Sequence, residues 1–281
     1  DLIYSFNGFI RQFGLTLGPL ITLLLFYYLG NTWDINIMNI VLLCGLGMFV
    51  VPQIILLIFK PTPPQESTNI DNKKLINDDG KDTKIDTNSC RYKAIPWLFV
   101  IHRLSLCTGA GMTVKFFPIY FEDILKLTPM ALTLIYVLVP LIQALCTLIA
   151  ERMSKWLNNR IIVMLIFKLS GISCLYIMAF LTQNEYIPKY NIIIIITYIL
   201  RTALMNCCYP LELACLMDYT SKKNKGKWNA IESIQRTIWT LSAALGGVLL
   251  TIMGYNYVFM FTASGYLIFT IILCPLISIA K

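Results

Sequence analysis

An all-α integral membrane protein with about eight transmembrane helices is the fold class this sequence predicts, and three observations carry the prediction. Only 14 % of its 281 residues are charged while 57 % are hydrophobic, and the mean hydropathy is +0.68; an ordinary soluble domain carries roughly 25 % charged residues. Apolar runs recur at the ~20-residue length a helix needs to cross a bilayer. Basic residues collect on alternate loops, as the positive-inside rule requires of a multi-pass chain.

In chain order the spans are expected at approximately 5–29, 36–59, 96–119, 130–150, 161–182, 192–216, 231–253 and 257–279. Most connections are short, so neighbouring helices pack antiparallel. The exception is 61–94, "PTPPQESTNIDNKKLINDDGKDTKIDTNSCRYKA", polar, Asn/Asp/Lys-rich and opening on three prolines. It has the composition of a disordered linker outside the membrane, and it divides the spans into two and six. Arg152, Lys155 and Arg160, then Lys222, Lys223, Lys225 and Lys227, lie on the linker's side, with Lys73, Lys74, Lys81, Lys84, Arg91 and Lys93 of the linker itself. The opposite loops carry Lys126 and Lys189. The linker, both basic loops and both visible ends are therefore expected in the cytoplasm.

The remaining composition excludes several classes. Eight of the nine cysteines lie in or at the edges of apolar runs, none has zinc-ligand spacing, and His102 is the single histidine. Neither a metal nor a cofactor is expected. There is no nucleotide loop and no carboxylate pair with a nucleophile, so an enzyme is not expected. The net charge of +8 reports membrane sidedness rather than a nucleic-acid partner. The expected partners are the lipid bilayer, a small-molecule solute, and a coupling proton or other ion.

Polar residues inside the spans are the candidate site. In the first span Gly14, Gly18 and Pro19 form G-x-x-x-G-P; glycines four apart let two helices approach closely, and the proline bends the helix. The third holds His102, Arg103 and Lys115 around "CTGAGMT", with Gly109 and Gly111 expected to weaken it locally. Arg103 reads as snorkelling inward, Lys115 as reaching the outer interface or a cavity, and His102 as a membrane-edge histidine. Tyr136, Gln143 and Thr147 form a polar stripe on the fourth, and Lys168 of the fifth reads as snorkelling. The sixth contains "IIIIITYILRTALMN", with Arg201 about ten residues in, ~15 Å deep. A central arginine costs ~2.5–3.5 kcal/mol on insertion scales and faces a bundle interior or a wet cavity. Thr197, Tyr198, Arg201, Cys208 and Glu212 fall on one stripe, Pro210 permits a bend, and Glu212 reads as near the boundary. Arg201 either contacts solute, or a gate, or pairs with a carboxylate on a helix that this sequence does not show. In the seventh span Asn229, Glu232, Arg236 and Thr240 share a face, and Glu232 and Arg236, four apart, form an expected structural pair. The cationic interior suits an anionic or carboxylate-bearing solute.

Two spans, a long cytoplasmic linker and six spans resemble a truncated twelve-helix transporter, and three motifs resemble the major facilitator superfamily. "FGLTLGPL" is similar to the superfamily's fifth-helix motif, although Leu20 to Thr22 replace its further glycines. "AERMSKWLNNR" is similar to its acidic–Arg–x–Gly–Arg/Lys loop, with Glu151, Arg152 and Lys155 matching and Ser154 departing. "DYTSKKNKGKWNAIESIQRTIWTLSAALGGVLL" resembles the tenth-to-eleventh-helix region of one branch, through Asp218, Gly226, Trp228, Asn229 and Glu232. The resemblance implies a major-facilitator-type helical bundle: 1–60 as the last two helices of the N-terminal half, 61–94 as the linker, 95–281 as the C-terminal half, with four helices expected before Asp1. It implies alternating-access transport of a small solute, secondary active or facilitative, with Glu151, Arg152, Lys155, Asp218, Glu232 and Arg236 as gate or structural charges. It also implies that the helix carrying Arg201 lines the central cavity. Arg201, Tyr198, Thr197, Lys115 and Gln143 are then the candidates for the solute path. The alternative is a non-transporting receptor or scaffold on the same fold.

Overall fold

The structure, a computed structural model, describes residues 2–58, 90–183, 187–220 and 225–279. The described residues are helices joined by turns: α1 (Leu2–Leu29), α2 (Ile35–Ile58), α3 (Cys90–Val114), α4 (Phe117–Asp123), α5 (Pro129–Trp156), α6 (Arg160–Gln183), α7 (Ile187–Asn206), α8 (Tyr209–Asp218), α9 (Lys225–Met253), α10 (Tyr255–Ile271) and α11 (Leu276–Ile279). Seven segments among them are long and apolar enough to cross a membrane. The eighth expected span is α10, 17 residues long, followed by turn residues around Pro275 and by α11. The expected linker lies outside the described residues except at its end, where α3 begins at Cys90 rather than near residue 96.

Local chemistry sets most boundaries. Gly30, at φ +122°, ends α1 in a conformation that suits glycine, and Asp34 Oδ1 accepts from Asn36 N at 2.9 Å as α2 begins. Thr128 accepts from Ala131 N with Pro129 at the first helical position of α5. Asn159 caps α6, accepting from Ile161 N at 3.0 Å and from Ile162 N at 3.3 Å.

Two spans are broken for the same reason. Pro118 and Pro210 each stand second in the half-helix after the break. A proline there cannot donate to the carbonyl four residues back, Val114 or Asn206, and its ring crowds that carbonyl. So α3 gives way to α4, and α7 to α8. The third span thus breaks at Pro118 and not at its glycines. Gly111 has a packing role instead: a Cβ there would overlap the Trp239 carbonyl and Ser242 Oγ, and one at Gly246 would overlap the Met112 backbone. The two glycines let α3 and α9 cross in close contact.

Helices α3–α11 enclose two apolar clusters. One gathers Phe117, Tyr120, Phe121, Tyr198, Phe259 and Tyr266; the other Phe99, Met164, Phe167, Leu211 and Leu273. Ile192, Ile193, Ile196 and Leu200 are exposed, as are most apolar side chains of α2, which suits a lipid-facing surface. Helix α1 packs along α5 and touches α8. At one end the turn between α1 and α2 is tied to the six-span unit: Met130 N donates to Asn31 Oδ1 at 3.0 Å, and Trp33 Nε1 to the Leu127 carbonyl at 3.2 Å. Among the described residues, nothing lies within 4 Å of a Cβ built at Gly14 or Gly18.

Candidate functional site

A cavity of about 370 Å³ lies where α1 meets α3, α5, α8 and α9. Helix α1 supplies Arg11 and Gln12, α3 supplies Arg103 and Cys107, α5 supplies Gln143 and Thr147, and α9 supplies Gln235, Arg236 and Trp239; Asn206, Tyr209, Pro210 and Leu213 come from either side of the α7–α8 break. Gln143 is fourteen residues along α5, ~21 Å from the end that carries the Asn31 and Trp33 contacts. The cavity is therefore at mid-depth or beyond.

The break shapes one wall. Pro210 ends α7 and makes Tyr209 the first residue of α8. The Thr147 hydroxyl shares its one hydrogen between the Gln143 carbonyl at 2.9 Å and the Cys207 carbonyl at 3.2 Å, tying the break to α5. The Tyr209 ring is thereby held in the cavity wall, and two guanidinium carbons lie over it: Arg103 Cζ at 4.8 Å from the centroid and Arg11 Cζ at 5.7 Å. Lys115 Nζ stands 4.7 Å from the centroid of Trp239. Three arginines line the cavity, and among the described residues no carboxylate joins them. Guanidiniums gathered in a concave, weakly polarisable wall focus positive potential inward. The electron-rich ring faces and the amides of Gln143, Gln235 and Asn206 offset part of their mutual repulsion.

The residues expected on the solute path divide. Gln143 lines the cavity, and exposed Lys115 stacks on a lining residue. Arg201, Thr197 and Tyr198 do not line it. Arg201 is 2 % exposed and sits inside the six-span unit, its Cζ 5.4 Å from the Phe117 centroid and 5.8 Å from that of Tyr266, with Nη2 donating to the Tyr266 hydroxyl at 3.4 Å. Among the described residues, aromatic faces of its own unit surround it. Tyr198 is buried against Phe117 and Phe121, and Thr197 Oγ1 donates to the Ile193 carbonyl.

The charges expected at membrane edges also move. Lys168 does not snorkel and Glu212 is not at a boundary: they form a 2.5 Å ion pair with side chains 2 % and 5 % exposed. The break at Cys207–Cys208 lets α8 turn Glu212 toward α6, which a continuous helix through Arg201 does not suggest. His102 is fully buried, its Nδ1–H donating to the Phe269 carbonyl at 2.8 Å. Arg103 is 9 % exposed and turns into the cavity.

Of the charges expected at a gate, Glu151, Arg152, Lys155 and Asp218 sit at the end of the bundle opposite Asn31. Lys155 Nζ meets Glu151 Oε1 at 3.1 Å, one turn apart on α5. Arg160 meets Asp218 at 2.6 Å, joining the start of α6 to the end of α8, and Arg152 is exposed. Arg236 lines the cavity, whereas the side chains of Glu232, Asn229 and Trp228 lie outside the described residues, and with them the Glu232–Arg236 pair. Arg11, Tyr209 and Gln235 are not among the candidates that the sequence suggests. Arg11 had a signal, a lone cation in an apolar span, the criterion that singled out Arg201; Tyr209 and Gln235 had none.

A membrane-embedded helical bundle with broken spans around a polar cavity is the architecture of a transporter. The family model described as Major Facilitator Superfamily matches residues 2–231 and 104–279, and the chain belongs to that superfamily, whose members are membrane transporters. No curated protein and no solved structure matches it.

Proposed function

We propose that this chain forms part of the solute path of a transporter that moves a small anionic, carboxylate-bearing solute by alternating access. The observation that carries the proposal is the cavity wall, to which Arg11, Arg103 and Arg236 all contribute. Guanidiniums match carboxylates bidentately, and the amides around them add neutral donors. Alternating access is supported by the position of the cavity between α1 and the six-span unit, with those two joined beyond it through Asn31 and Trp33.

The test is uptake by the full-length protein in proteoliposomes. Labelled mono-, di- and tricarboxylates are compared with a neutral sugar and an organic amine. Saturable uptake is expected for at least one carboxylate and for neither other solute. Faster entry of the sugar or the amine than of every carboxylate defeats the proposal.

Charge asymmetry supports a cytoplasmic location for the linker, the basic loops and both visible ends. In intact cells an impermeant maleimide is expected to label Glu122→Cys, and to label Arg152→Cys only after permeabilisation; both positions are exposed. The reverse pattern overturns this orientation.

A further inference from the structure

We infer that Tyr209 is a built-in competitor for the transported anion: its ring engages two of the guanidiniums the anion needs, so a bound anion must displace it. The inference rests on the anion reading above. Arg11 and Arg103 come from different helices, α1 and α3, and both place Cζ over this one ring, at 5.7 and 4.8 Å. The ring belongs to a third helix, α8, and its position is built: Pro210 follows it, and the preceding break is bonded to Thr147 of α5.

The energetics favour exchange. The face of a tyrosine ring carries only a quadrupole, and two like charges drawn to it repel each other. A carboxylate or phosphate offers full negative charge and two oxygens to each guanidinium fork. An anion between Arg11 and Arg103 therefore outcompetes the ring, but by less than it would gain from guanidiniums not engaged by the ring. Tyr209 lowers the affinity for the anion and keeps the site from holding it too tightly to release.

The contact also links the two units. Arg11 belongs to α1 and Tyr209 to α8, while the far end of α1 is secured to the six-span unit through Asn31 and Trp33. Drawing Arg11 off the ring loosens the cavity end and leaves the far end tied. Binding is thereby coupled to the relative movement of α1 and α8.

The experiment is a titration of the full-length protein in detergent with succinate, citrate and inorganic phosphate at fixed ionic strength, read by calorimetry. With the probe that binds wild type most tightly, Tyr209→Leu is expected to lower Kd about tenfold, the worth of two guanidinium–ring contacts. Tyr209→Trp, with the stronger ring quadrupole, is expected to raise Kd about threefold. Opposite signs in the two variants are the signature, since a packing defect weakens binding in both. Weaker or unchanged binding in Tyr209→Leu overturns the competitor role. If that variant does not yield a monodisperse protein, Tyr209→Trp decides, and a Kd at or below wild type overturns the role. Should wild type bind none of the three probes and neither variant bind them, the anion reading falls and the competitor role with it. Binding by wild type without the sign pattern removes the competitor role alone.

Discussion

Lys168→Met is expected to destabilise the protein by about 3–5 kcal/mol, the cost of leaving one member of a buried ion pair without its partner. Lys168 and Glu212 are 2.5 Å apart and almost wholly shielded, so neither bulk water nor counterions screen the charge left behind. Glu212→Gln is expected to cost a similar amount. The double variant Lys168→Met with Glu212→Leu is expected to recover most of the loss, because an apolar pair of comparable volume carries no desolvation penalty. The measurement is the melting temperature of the full-length protein in detergent, read from the monodisperse fraction after heating. Single variants that melt with wild type would show that the pair contributes nothing. A double variant less stable than both singles would show that its role is not electrostatic compensation.

Arg103→Ala is expected to reduce initial uptake of the transported carboxylate by about 10- to 100-fold while leaving the melting temperature within a few degrees of wild type. The range follows from a charge-assisted hydrogen bond worth about 1.5–3 kcal/mol. Arg103 is the most buried of the three cavity arginines and its guanidinium lies closest to the Tyr209 ring. It is thus the cation whose field is least diluted by water. Arg103→Lys keeps the charge but loses the planar fork, and an intermediate rate is expected. Wild-type uptake by Arg103→Ala would remove Arg103 from the solute path.

The contrast between Arg103 and Arg201 shows how far residue patterns reach. Both are single cations in apolar runs, and the depth argument selects Arg201, ten residues into its span. Depth, however, does not tell a cavity from a bundle interior lined with rings. Arg201 is enclosed by Phe117 and Tyr266, which lie 84 and 65 positions away in the sequence, and no periodicity announces that meeting. The stripe running from Thr197 to Glu212 is buried throughout. Residue spacing alone makes it one face of one helix. Pro210 divides it, so its two ends serve different neighbours: aromatic rings at Arg201 and a lysine at Glu212.

Hydrophobic length and the placement of charges were enough to indicate a multi-pass helical membrane protein and the approximate position of most of its spans, and the resemblance of three motifs indicated its family. These are local properties, because the bilayer acts on each segment separately: every span must be long, apolar and internally hydrogen-bonded wherever it packs. Which cations meet in the cavity, and which are sealed inside the bundle, was decided only in three dimensions. Arg11 and Arg103 share a ring because α1 crosses α8, and Lys168 finds Glu212 because a broken helix turns toward α6. Inside a membrane a charge is stable only beside a compensating group, and that group is supplied by whichever helix the packing brings alongside.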